Sequence, residues 1–309
     1  MTRATAPRPP AGESDSDADD LVPGAEFNVR EFARTAVGSH RPGLDLEVYA
    51  TDPLDDRTLD LVAYLARLEH STMRHLRSVL VTPTHKDARV TAFLVTWAYE
   101  KYWIADALEA VLDAHPSYEA AAAGRLGPLA RFWHSLAERV EPIHESVIAN
   151  AIGEDVVAVH SATGAVDEWV TRAAFVSLAE QADHESFRAL LEQLAEVKAR
   201  HELFWSLQSR DRLKRSPTAS DLARRRLARA QLPLGAIDES PDATRRFYAA
   251  LISDDTIATI DGRIDELPGL AGLRLLERSA RETPRRGGLE GIASWIGRVA
   301  ADLTTRRRA

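Results

Sequence analysis

Two lysines stand where a helical core should be apolar. Lys101 lies in TWAYEKYWIADALEAVL, in line with Leu94, Trp97, Ile104 and Leu108. Lys198 lies in LLEQLAEVKARHELFW, in line with Leu191, Leu194, His201 and Trp205. Residues at steps of three and four share one helix face, so both lysines should point inward. An unpaired ammonium there costs several kcal/mol. Either anions face the two side chains or the amines lose their protons. A buried amine of depressed pKa can act as a base or form a Schiff base, which makes Lys101 and Lys198 candidate catalytic residues. Taken singly, a lysine beside an apolar stripe more often snorkels to the core edge. Two lysines at matching positions of two helices weaken that reading.

Anions are available on two further helices. Glu69 interrupts the stripe Val62, Leu65, Met73, Leu76, and Glu168 interrupts the line Val157, Gly164, Thr171, Phe175. Four long helices thus each place a polar residue near mid-length on an apolar face. That is the pattern of a bundle with a central site. The expected arrangement is a buried pairing of Lys101 and Lys198 with Glu69 and Glu168.

The helices that must position these residues are legible from their start and stop signals. The first begins near Asp52-Pro53, with proline at the first helical position, and runs to about Leu80 before Pro83. Asp87 caps the second, which runs to about Asp113 before His115-Pro116. Gly127-Pro128 opens another through RFWHSLAERVEPIHESVIANAI, kinked by Pro142. A further helix covers about Val156 to Ala182, and Asp183 caps the helix of Lys198, which ends around Asp211. Residues 1–28, rich in Pro, Ala, Ser and Asp, read as a disordered tail. Residues 29–215 read as the helical bundle. Residues 216–309 read as a helical C-terminal extension packed on it, with basic segments such as LARRRLARAQLPLGA.

Composition agrees with an all-α fold. The 309 residues are 45% hydrophobic and only 6% aromatic, and Ala and Leu are abundant. The formal net charge of −8 argues against a general nucleic-acid-binding surface. There is no cysteine, which excludes disulfides, thiolate metal sites and cysteine nucleophiles. No apolar run is long enough for a transmembrane helix, and the start of the chain lacks a secretory signal. The expected location is the cytoplasm of a bacterium with Ala- and Arg-rich coding. No Ser-His-Asp order, phosphate loop or dinucleotide fingerprint stands out.

Over roughly residues 50–212 the chain resembles the ferritin-like superfamily, specifically its acyl-carrier-protein desaturase-like branch. LARLEHSTMRHL, TWAYEKYWIADAL, DEWVTRAAFVSLAEQADHESFRALL and AEVKARHELFW carry the resemblance. In that family the second phrase looks like W-x-x-E-E-x-x-H and the last like D-E-x-R-H-E. The resemblance implies a four-helix bundle holding two irons, with a glutamate on each of two helices and Glu-x-x-His on each of the other two. Glu69 and Glu168 match the lone glutamates, and His201 matches the last histidine. Three positions depart: Lys101 and Lys198 stand at glutamate positions, and Ile104 stands at a histidine position. The ligands that remain are two carboxylates and one imidazole, facing two added positive charges, a field that strongly disfavours two ferrous ions.

Weaker candidates surround this set. Glu100 could supply a shifted carboxylate only if its helix rotated by about 100°. His70 and His75 lie off the face of Glu69 and are expected in solvent. His144, Glu145 and His160 sit on helices flanking the core. Three functions stay open. One is a metal-free binding or pseudoenzyme role on a disrupted di-iron site. Another is a metal-dependent, oxygen-using oxidoreductase, with iron or manganese on a rearranged set of Glu69, Glu168 and His201. The third is lysine-based catalysis. The resemblance also implies a homodimer. An apolar small molecule could occupy the bundle cavity. An acidic acyl carrier protein could meet the basic segments that end in Arg306, Arg307 and Arg308.

Overall fold

A computed structural model describes residues 27–116, 118 and 153–281 of the chain. Most of the tail, the helix expected through Pro142 with His144 and Glu145, and the arginines at 306–308 lie outside the described residues. Among those described, every regular element is helical. A short α1 (Val29–Arg34) precedes α2 (Asp56–Leu80) and α3 (Ala88–Asp113). Then come α4 (Asp155–Gln181), α5 (Glu185–Arg215), α6 (Pro217–Leu227), α7 (Pro241–Leu251), α8 (Asp254–Asp265) and α9 (Leu275–Arg281). No described helix is long and apolar enough to cross a membrane.

Capping sets the limits of the helices. Asp55, not Asp52, starts α2 by accepting the Thr58 amide N–H at 3.0 Å. Asp87 starts α3 through the Val90 amide at 2.9 Å. His184, rather than Asp183, caps α5, its Nδ1 accepting from the Phe187 amide at 3.2 Å. Helix α5 continues past Asp211 to Arg215, since no Gly or Pro interrupts it before Ser216-Pro217. Ser216 ends that helix and caps the next by accepting the Ala219 amide at 3.1 Å, with Pro217 at the first helical position.

The four long helices supply most of the core. Helix α2 packs on α3 and α4 packs on α5. The inward lines of α3 and α5 are buried as their stripes require, and so is that of α4. On α2 the buried line is Val62, Leu65, Glu69, Thr72, Leu76 and Val79, whereas Met73 is 45% exposed. Alternating steps of three and four track one face, and Met73 lies about 100° beyond Thr72. Helix α4 is buried on nearly every side because α6, α7 and α8 pack against it as well as α5. Its Val- and Ala-rich sequence suits a helix without a solvent face.

Gly164 lets α4 and α5 approach closely. A Cβ at that position would lie 2.8 Å from the Trp205 indole. Trp205 is itself held among Phe93, Trp97 and Phe204. Gly164→Ala is therefore expected to lower stability by about 1–3 kcal/mol through overpacking, against the usual helix-propensity gain. Denaturant unfolding measures it, and an unchanged or raised midpoint would contradict the packing described.

Candidate functional site

The four mid-helix residues meet. Lys198 Nζ donates to Glu69 Oε1 at 2.8 Å and lies 2.9 Å from Glu168 Oε2. Lys101 Nζ lies 3.1 Å from Glu69 Oε2 and 3.5 Å from Glu168 Oε1. Each carboxylate thus presents one oxygen to each ammonium, and each ammonium touches both carboxylates. All four side chains are buried. Aromatic faces complete the walls. Lys101 sits 5.0 Å from the Trp97 ring and Lys198 5.6 Å from Phe175. Trp97 also donates its indole N–H to Glu168 Oε1 at 2.6 Å.

Behind this quartet lies a second polar layer. His201 is fully buried, with Nδ1 3.8 Å from Glu168 Oε1 and Nε2 2.7 Å from Glu100 Oε2. Glu100 does not enter the quartet. Its Oε1 accepts the Val37 amide N–H at 2.7 Å and the Arg200 guanidinium. The helix has not rotated, so Lys101 faces the centre while Glu100 faces α5 and the loop after α1. His201 Nδ1 makes no hydrogen bond to a described residue.

The electrostatics follow from burial and proximity. Burial raises the Glu69 pKa, but Lys101 and Lys198 outweigh it and hold the group below its usual value. Glu168 behaves alike, with His201 adding to the two lysines. Burial lowers the Lys101 pKa, but Glu168, Glu69 and Asp167 more than reverse this and raise it above the ordinary lysine value. An ammonium held this way is a poor nucleophile.

Asp167 is the site residue that sequence reasoning missed. It neighbours Glu168 yet points elsewhere, with Oδ1 accepting the Leu234 amide N–H at 2.6 Å and Oδ2 3.8 Å from Lys101. Burial pushes its pKa up to about 6, against the pull of Lys101. The only sequence signal was an acid where α4 shows no polar face. His75 is also corrected. It is partly buried near Trp97, with ring centroids 6.4 Å apart, and burial followed by Arg226 and Lys101 lowers its pKa to about 4. His160 bonds Thr84 Oγ1 at 2.9 Å, and burial with His75 and Arg226 lowers it to about 3. His70 is on the surface as expected, paired with Glu109.

The di-iron ligand set implied by the resemblance does not fit these residues. Two ammonium groups, which lack lone pairs, lie against both carboxylates, and Ile104 offers no donor. Among the described residues no group of three His, Asp or Glu side chains is arranged to hold a metal ion. Two clefts of about 420 and 470 Å³ lie elsewhere. One lies between α2 and α7, the other beside Val37 and Arg200, and neither is lined by the quartet. Comparison with protein-family models, curated proteins and solved structures finds no match for this chain.

Two predictions follow from the charges. Lys198→Met leaves Glu69 and Glu168 short of one buried counter-charge and is expected to cost about 3–5 kcal/mol in denaturant unfolding. Pairing it with Glu69→Gln should recover part of that loss. No recovery would mean that the two do not share a charge balance. The second concerns pH. His75 and His160 have folded pKa values below the ordinary 6.5, so their contribution is complete above 6.5 and lost as pH falls toward about 4 and about 3. Glu69 and Glu168 act in the same sense below 4.5, while Asp167, raised from 3.8 to about 6, opposes them between those values. Thermal unfolding midpoints should fall from pH 6.5 to 4. The fall should be shallower in a His75→Gln/His160→Gln variant, and equal slopes in the two proteins would refute the assignment.

Proposed function

We propose that the chain is a ferritin-like, desaturase-related four-helix bundle in which two lysine ammoniums take the place of two metal cations. Its role is then metal-free, as a binding protein or pseudoenzyme. One observation carries this reading: Glu69 and Glu168 each offer one oxygen to Lys101 and one to Lys198, as bridging carboxylates would to two cations. The reading carries a homodimer with it from the resemblance. An apolar small molecule or an acidic acyl carrier is the corresponding ligand class.

A second reading is favoured by His201. Its Nδ1 faces Glu168 while Glu100 orients the ring from behind, the arrangement in which a carboxylate steers a metal-bound histidine. An oxidoreductase using iron or manganese on Glu69, Glu168 and His201 would need both lysines to leave the centre. Their burial and pairing disfavour that movement. The raised pKa of Lys101 likewise disfavours its use as a catalytic amine.

Metal analysis of protein expressed with ample iron and manganese separates these readings. The expected content is far below one ion per chain, and stoichiometric metal would overturn the proposal. In the converse experiment, Lys101→Glu/Ile104→His/Lys198→Glu is expected to gain iron, about two per chain. A folded triple variant that stays free of metal would count against the assigned positions.

A further inference from the structure

The chain is acidic overall, yet one stretch of it is strongly basic. Residues 210–229 hold eight Arg and Lys against two Asp. Some are used internally. Arg212 pairs with Asp87 at the start of α3, and Arg224 donates to the Gly269 and Ala271 carbonyls. Arg210, Lys214, Arg215, Arg225 and Arg229 are exposed, and none has a carboxylate of a described residue within ion-pair distance. Lys214, Arg215 and Arg225 lie in the last turns of their helices, where the macrodipole favours cations. Their charge is nonetheless uncompensated by the side chains of other described residues.

The opposite composition occurs once near the start of the sequence. Residues 13–20, ESDSDADD, hold five carboxylates and no basic residue. This stretch lies outside the described residues, but the described chain that follows it begins at an anchored residue. Phe27 packs on Phe93 and Phe204, and its carbonyl accepts from Arg89 at 2.7 Å. Arg89 is two residues beyond Asp87, the partner of Arg212. Phe204 is eight residues, about 12 Å, from Arg212 along α5. The seven residues from Asp20 to Phe27 can span up to about 25 Å. The acidic stretch is therefore tethered within reach of the C-terminal end of α5, from which Ser216 leads directly into α6, at an effective concentration that can reach the millimolar range.

We infer that residues 13–20 dock on the basic surface formed by the C-terminal end of α5 and by α6. Individual exposed ion pairs contribute little. Five carboxylates on a short tether beside a segment with five exposed cations would act together. The contact depends on salt, since at high ionic strength the screening length falls to a few ångströms. In docking, the segment competes with any anionic partner for this face.

The absence of cysteine allows a direct test on the full chain. Ser14→Cys provides one thiol for a nitroxide label, and amide NMR signals report what it approaches. The expected result is selective signal loss across residues 210–229 at low salt, recovered at about 1 M salt. Replacing Asp15, Asp17, Asp19 and Asp20 with Asn should abolish the loss, as should replacing Lys214, Arg215, Arg225 and Arg229 with Gln. Loss that is absent, spread elsewhere or insensitive to salt overturns the inference. A mixture of labelled chain with separate isotope-enriched chain identifies the occupant. Signal loss at 210–229 in that mixture assigns the surface to a second copy and overturns docking within one chain.

Discussion

Two ammonium groups buried among aromatic rings can exist only with anions beside them. Lys101 and Lys198 are therefore the constraint around which the long helices are arranged. Each lysine requires both glutamates, and each glutamate requires both lysines. Their Cα positions come from four separate helices, so this mutual requirement fixes how α2, α3, α4 and α5 meet at mid-length. Hydrophobic burial supplies the drive to associate but does not by itself select a register. Charges that become costly when displaced by one turn do select it.

The surrounding residues preserve that selection. Trp97 anchors Glu168 through its indole N–H, and the rings of Trp97 and Phe175 lie against the two buried lysines. Glu100, adjacent to Lys101 in sequence, binds Arg200, His201 and the Val37 amide, which ties α3 to α5 and to the chain after α1. Two neighbouring residues on one helix thus serve two separate networks. Asp167 and Glu168 repeat the device on α4, with Asp167 joined to the segment that follows α6 through Leu234.

Much of this was legible in the sequence because helix periodicity is a local property. The inward lines of α3 and α5, and the pairing of Lys101 and Lys198 with Glu69 and Glu168, follow from steps of three and four and from the cost of unpaired charge. The missed features depend on elements remote in sequence. Asp167 stands out from its neighbours only once α6 to α8 cover the far side of α4. His75 reads as solvated until Trp97 lies beside it. Met73 reads as a core residue only on a stripe with one step of four too many, which drifts off the face. The cap at His184 is hard to read from sequence because an imidazole is a less common N-cap than the aspartate before it.

The reciprocity of the quartet bears on how such a sequence can change over time. Replacing any one of Glu69, Lys101, Glu168 or Lys198 by a neutral residue passes through a folded state with an uncompensated buried charge. Each position therefore constrains the other three, and a charge-balanced pair of changes costs less than either change alone. The quartet is in that sense an epistatic block, in which the effect of changing one member depends on the identity of the other three.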